Sequence, residues 1–229
     1  MKLKIFCGKP ARRLTSTKSS ESGVAWNPSS TRIAFSARRG EEGSPSQIYV
    51  LDMTGPGEAV QVTSLATGAS SPRWSPDGLQ IAFESRVYPG GLDAEGNEAE
   101  KKRREELQYN ASAYETFPIR QWERWRDDLT THLFVQAAQS GAEAVDLLRG
   151  SSLSNGPGFA GVPSLSGDSL KAEWIPDGSG LVFSATANLH QAAFKETHYH
   201  LYQVSLTGDE PRQLTNSEEW SCHSAVFIG

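Results

Sequence analysis

One fifteen-residue unit recurs along this chain, and it dictates a series of hairpins. Its clearest copy is Ser71-Pro72-Arg73-Trp74-Ser75-Pro76-Asp77-Gly78-Leu79-Gln80-Ile81-Ala82-Phe83-Glu84-Ser85. A second runs from Lys171 to Ala185 with the core Trp174-Ile175-Pro176-Asp177-Gly178, and a weaker third runs from Val24 to Ala37 with Trp26-Asn27-Pro28-Ser29-Ser30. Each part has a physical reason. The tryptophan ends a strand and offers a large apolar plate for packing between neighbouring sheets. Proline presets φ at the first central position of a tight turn, aspartate caps the turn through its side chain, and glycine accepts positive φ. The runs that follow, Ile33 to Phe35, Ile81 to Phe83 and Leu181 to Phe183, are apolar and β-prone. Trp26, Trp74, Asp77, Gly78, Trp174, Asp177 and Gly178 are therefore read as the structural residues of the repeat.

Spacing turns hairpins into an architecture. Trp26 and Trp74 are 48 residues apart, and Trp74 and Trp174 are 100 apart. The longer interval holds only one further hairpin, Thr131 to Leu148, and the excess is a charged insertion at about 87–128. A second pair of strands follows each first hairpin: Gln47 to Asp52 with Ala59 to Thr63, His132 to Gln136 with Ala144 to Leu148, and His200 to Ser205 with Pro211 to Thr215. Four strands in a unit of about 40–50 residues is the requirement of a propeller blade. The expectation is an all-β fold, a partial β-propeller of four-stranded antiparallel blades, three whole and two partial, with one helical insertion. The expected division is 1–17 for the last strands of a first blade, 18–67, 68–150 with the insertion, 151–216, and 217–229 for the first strand of a further blade, with Phe227 in the tryptophan position. A closed ring needs more blades than these to remove its edges, so the sequence is expected to be a truncated propeller that self-associates through open blade edges.

Composition narrows the function. With 22 Lys and Arg against 27 Asp and Glu, the net charge of −5 argues against a nucleic-acid surface. No signal peptide and no apolar run of membrane-spanning length is visible, and the compartment stays open. Cys7 and Cys222 read as two free thiols. No cofactor is implied. His198-Tyr199-His200 places two imidazoles on one strand, read as exposed strand histidines because no third ligand accompanies them; no metal site is expected. Asn110-Ala111-Ser112 matches a glycosylation sequon by pattern alone. In the insertion, Glu98 with Lys102 and Glu100 with Arg104 sit at i,i+4 and predict a solvated helix.

The Trp-Ser-Pro-Asp-Gly units resemble TolB-like and WD40-like propeller repeats. More specific is Glu115-Thr116-Phe117-Pro118-Ile119-Arg120-Gln121-Trp122-Glu123-Arg124-Trp125 followed by Thr131-His132-Leu133-Phe134-Val135. That stretch is similar to a segment in the propeller of prolyl-oligopeptidase-family serine peptidases, in particular the bacterial dipeptidyl aminopeptidase and acylaminoacyl peptidase group. Gln121 stands where the family usually has His, and Glu123 where it has Asp. The resemblance implies a non-catalytic propeller that gates peptide substrates for a C-terminal α/β-hydrolase domain, in a parent that is exported in many members. The Gly-x-Ser-x-Gly nucleophile elbow is absent from the sequence, so no catalytic residue is assigned and the chain alone is expected to be inactive. Arg120, Trp122 and Trp125 are the candidate substrate or interdomain contacts, because Arg with Trp builds anchors for peptides and for neighbouring domains. The competing reading of that strip is packing of the insertion on its own blade. The competing function is a stand-alone TolB-like module that binds another protein.

Overall fold

The computed structural model describes residues 14–15, 20–107, 111, 114, 117–121, 123–164 and 167–227. Three antiparallel four-stranded sheets follow one another. The first is β1 (Glu21–Trp26), β2 (Arg32–Ala37), β3 (Gln47–Asp52) and β4 (Val60–Gln61), paired in chain order. The second begins with β5 (Ser70–Trp74) and β6 (Gln80–Val87). The chain then leaves for the insertion, which holds helix α1 (Ala94–Glu105) and the strands β7 (Arg120–Gln121) and β8 (Arg124–Trp125). It returns as β9 (Thr130–Ala137) and β10 (Val145–Asp146), in the order β5-β6-β9-β10. A small hairpin of β11 (Val162–Ser164) and β12 (Gly167–Ser169) precedes the third sheet of β13 (Glu173–Trp174), β14 (Gly180–Ala185), β15 (His200–Ser205) and β16 (Arg212–Gln213). These are propeller blades: each is an up-and-down meander, and each packs a face on the next.

The turn chemistry works as its residues dictate. The Gly78 amide donates to the Ser75 carbonyl at 2.9 Å, Ser75 N donates to Gln80 O at 3.0 Å, and the Leu79 amide donates to Asp77 Oδ1 at 2.9 Å. Asp177 does the same for Ser179 at 2.9 Å. Gly78 and Gly178 lie at φ +71° and +76°, and Ser30 takes the same place in the first blade at φ +57°. A side chain there is strained, since left-handed backbone costs an L-residue roughly 1–2 kcal/mol, partly offset by the larger entropy that glycine loses on folding. Ser30→Gly is therefore expected to stabilise the chain by up to about 1 kcal/mol, read from the urea midpoint; no gain would show that Ser30 is unstrained.

A second repeated feature was not foreseen. Three residues before each tryptophan the backbone also turns left-handed, at Gly23 (φ +64°), Ser71 (φ +55°) and Lys171 (φ +49°). In β1 and β5 this is a break in register, between Ser22 and Ala25 and between Ser70 and Arg73. Such bulges re-aim a strand. Ser30, Ser71 and Lys171 are the non-glycine residues with positive φ among the described residues, so each such residue occupies a repeat position.

Blades join through indoles. Trp74 Nε1 donates to Ala25 O at 3.1 Å and Trp174 Nε1 to Arg73 O at 3.0 Å, in each case the residue before the tryptophan of the preceding blade. Around Trp74, Ile81, Phe83 and Phe134 meet Ala34, Ile48 and Val50 of the first blade. Around Trp174, Leu181, Phe183, Tyr202 and Val204 meet Ala82, Leu133 and Val135 of the second. Glu84 adds a polar pin: its buried Oε1 accepts from the Leu170 amide at 2.8 Å and from Ser169 Oγ at 2.9 Å.

Two expectations need correction. Trp26 is not a buried plate. It is 54% exposed against 7% for Trp74 and Trp174, because no described blade lies on its far side. The stretch 217–227 contains no strand, since no described strand is available to pair with it. It is tied down by Cys222, whose amide donates to Tyr199 O at 2.7 Å and whose carbonyl accepts from Ser184 Oγ. Of the stretch 1–17, only residues 14–15 are described. The β11–β12 hairpin lacked a repeat signature and was not anticipated. No described helix is long and apolar enough to cross a membrane.

Candidate functional site

The insertion leaves the second blade where β6 ends at Val87 and returns where β9 begins at Thr130, two residues that face each other across the ladder. Its helix starts at the Asp93 cap, where Oδ1 accepts from the Gly96 amide at 2.8 Å. Along the exposed surface Lys102 meets Glu98 at 2.8 Å, and Arg103 and Arg104 both meet Glu100 at 2.7 Å. The two guanidinium hydrogen bonds draw the Glu100 carboxyl down to about 2. Within α1 only Asn97 is buried. Its Oδ1 accepts from the Tyr88 amide at 2.8 Å and its Nδ2 donates to Asp93 O at 2.9 Å. The helix is held by a polar pin, not by an apolar stripe.

Beyond the helix, β7 and β8 form a hairpin in which Arg120 pairs with Trp125 and Gln121 with Arg124, closed by the Arg126 amide donating to Ile119 O at 3.0 Å. Three arginine–aspartate contacts fasten its root. Arg86 grips Asp127 with two nitrogens, Arg104 grips Asp128 at 2.7 and 2.8 Å, and Arg126 reaches Asp168 at 2.8 Å. Arg104 also lies over the Tyr88 ring, 4.5 Å from its centroid. The Asp128 carboxyl is lowered, first by the hydrogen bonds from Arg104.

The insertion is thus held together by Asn97 and Arg104, and tied to its surroundings by Arg86 of β6 and by Arg126 on Asp168 of β12. Arg120 and Trp125 stand apart from these contacts. Trp125 is 66% exposed, the Arg120 guanidinium lies 5.9 Å from its ring centroid, and Tyr114 is 6.3 Å from it on ring centroids. Among the described residues no carboxylate pairs with Arg120. Phe117 and Ile119 are exposed beside them. Trp122 lies outside the described residues. What the tip offers is a solvent-facing cation on an aromatic surface, competent to hold carbonyl or carboxylate oxygens and an apolar group together. Beneath the hairpin is a cavity of about 270 Å³ bounded by Tyr88, Phe117, Pro118, Arg126, His132 and Phe159. The buried His132 sets Nδ1 2.8 Å from Asp146 Oδ2 and turns its ring edge-on to Phe159.

The remaining candidates resolve differently. His198 precedes β15 and His200 begins it, and both are half-buried where exposed strand histidines were expected. Burial is the larger cause holding the His200 imidazole below its ordinary value. Among the described residues no group of three or more His, Cys, Asp or Glu is arranged to hold a metal ion. Cys222 is a free, half-buried thiol; Cys7, Asn110 and Ser112 lie outside the described residues. The aspartates that anchor the hairpin, Asp127, Asp128 and Asp168, were not picked out in the sequence. The only local cue was the pair Asp127-Asp128 placed directly after Arg126.

No family model matches the chain. It is 30% identical over 89 residues to the uncharacterized peptidase YuxL of Bacillus subtilis, a match that covers 39% of this chain and 13% of that protein. The chain therefore spans about an eighth of the curated relative it matches. Among solved structures it is similar to TolB from Acinetobacter baumannii, with 16% identity, a TM-score of 0.45, and coverage of 88% of this chain and 34% of that one. It is also similar to the acylaminoacyl peptidase of Pyrococcus horikoshii, with 14% identity, a TM-score of 0.46, and coverage of 86% and 25%.

Proposed function

We propose that this chain is the propeller part of a serine peptidase of the dipeptidyl, acylaminoacyl or oligopeptidase kind. In this reading it admits and helps bind peptides for a hydrolase domain and performs no chemistry itself. The observation that carries it is the exposed Arg120–Trp125 pair on a hairpin whose root is fixed by three arginine–aspartate contacts. A stand-alone scaffold has no need to brace an exposed cation and indole in this way, whereas a peptide needs a rigid donor for its backbone oxygens and an apolar wall for its side chains. The partial identity to a protein described as a peptidase supports the same reading.

Titrating the chain with short unstructured peptides by calorimetry is expected to show weak binding. Arg120→Ala and Trp125→Ala are each expected to weaken it about tenfold, the scale of one charge-assisted hydrogen bond or one aromatic anchor. The chain alone is expected to hydrolyse no dipeptidyl or acylaminoacyl reporter. Peptide affinity unchanged in both variants removes the proposal. Capture of a folded protein with no response to peptides would replace it with an interaction module.

A further inference from the structure

We infer that β12 is the element that positions the Arg120–Trp125 surface, with Asp168 as its positioning residue and Glu84 as the point that holds it to the blade. The inference rests on the peptide-binding reading of that surface, but its test does not. Three consecutive residues of one short segment face two ways. Ser169 Oγ and the Leu170 amide donate to Glu84 of the second blade at 2.9 and 2.8 Å. Asp168 turns its carboxylate to the insertion, where Oδ2 accepts from Arg126 Nη2 at 2.8 Å, while its carbonyl accepts from Thr131 Oγ1 of β9 at 3.2 Å. Arg126 follows Trp125 directly, and its amide closes the hairpin on Ile119 O.

The Arg126–Asp168 pair differs from the other two root contacts in its surroundings. Its side chains are 22% and 12% exposed, against 44% and 48% for Arg86–Asp127 and 33% and 48% for Arg104–Asp128. A partly buried pair is less screened by water and salt than a surface pair, so it holds its partner in place more firmly. Asp168 Oδ1 is buried, and among the described residues the carboxylate's hydrogen bond is the one from Arg126 to Oδ2. Where β12 sits, Arg126 sits, and the pairing of Arg120 with Trp125 follows. Glu84 fixes β12 against the second blade, so the seam between the second and third blades sets the pose of a surface on the insertion.

Hydrogen exchange read by mass spectrometry tests this on the chain as it is. Asp168→Asn keeps the shape and removes the charge. It is expected to speed exchange of the Arg126 amide and of the segment 117–126 about tenfold, leaving β6, β9 and β14 at wild-type rates. Arg126→Gln approaches the same contact from the other side and is expected to give the same pattern. Unchanged exchange in the hairpin overturns the inference. So does equal loosening of hairpin and blades in both variants, which would make Asp168 a residue of the fold at large. Because the hairpin amides report whether or not any peptide binds, failure of the peptide reading shows separately, as wild-type chain that binds no peptide.

Discussion

Trp174→Ala is expected to lower the unfolding free energy by about 3–5 kcal/mol, the range for truncating a large buried aromatic side chain. The same change at Trp26 is expected to cost under about 1 kcal/mol, as for a surface substitution. The two residues hold the same place in the repeat, so the contrast isolates the blade-to-blade contact. Trp174 is buried among Leu181, Phe183 and Tyr202 of its own blade and Ala82, Leu133 and Val135 of the preceding one. Its indole donates to Arg73 O at 3.0 Å, and truncation removes that donor. Trp26 is half exposed and makes no indole hydrogen bond among the described residues. Urea unfolding with an unchanged denaturant slope measures both. Equal losses at the two positions would show that the tryptophan acts inside its own sheet and not between blades.

The repeat was legible because its chemistry is local. Proline, aspartate and glycine act within one turn, so Ser75 to Gly78 and Ile175 to Gly178 fold as their residues require, and the boundaries of the insertion follow from what remains between paired runs. Environment was less legible. Nothing local distinguishes Trp26 from Trp174, since exposure depends on whether a blade lies against it. The left-handed bulge before each tryptophan is poorly marked in the sequence, because only Gly23 signals it by residue type, while Ser71 and Lys171 hide it. The bracing of the candidate surface was hidden for a related reason. Arg86 and Asp127 are 41 residues apart, and Arg126 and Asp168 are 42 apart, so these pairs exist only once β6, β9 and β12 have been brought together. Arg120 and Trp125 stand out in the sequence as part of an Arg–Trp cluster, but their separation from the insertion's own packing exists only in the folded chain.

Glu84 carries the second large effect, and its sign runs against that of the surface carboxylates. Burial is the largest influence on it and pushes its carboxyl above the usual range, outweighing the hydrogen bonds from Ser169, Leu170, Ser71 and Lys171 that favour the charged form. A carboxyl with a raised folded pKa binds its proton more readily in the native chain than in the unfolded one. Its contribution to stability is therefore fully present below the ordinary glutamate value and declines as pH rises through the folded value. The slope in that window is at most about 1.4 kcal/mol per pH unit for a single group. Glu84→Gln is neutral throughout and keeps an oxygen to accept from Leu170. Relative to wild type it is expected to be progressively more stable as pH rises from about 4.5, the difference levelling off once Glu84 is ionised in the native chain. Taking the difference between the two proteins cancels Glu100, Asp128 and the other carboxyls held low, whose stabilisation is instead lost toward acid. Glu84→Leu separates the charge from the hydrogen bonds. It leaves the Leu170 amide and Ser169 hydroxyl without an acceptor at a buried seam, and is expected to be about 2–4 kcal/mol less stable than Glu84→Gln at every pH. Parallel pH profiles for wild type and Glu84→Gln would show that Glu84 does not titrate differently in the folded chain, and a harmless Glu84→Leu would show that the seam is held by Trp174 and its apolar neighbours alone.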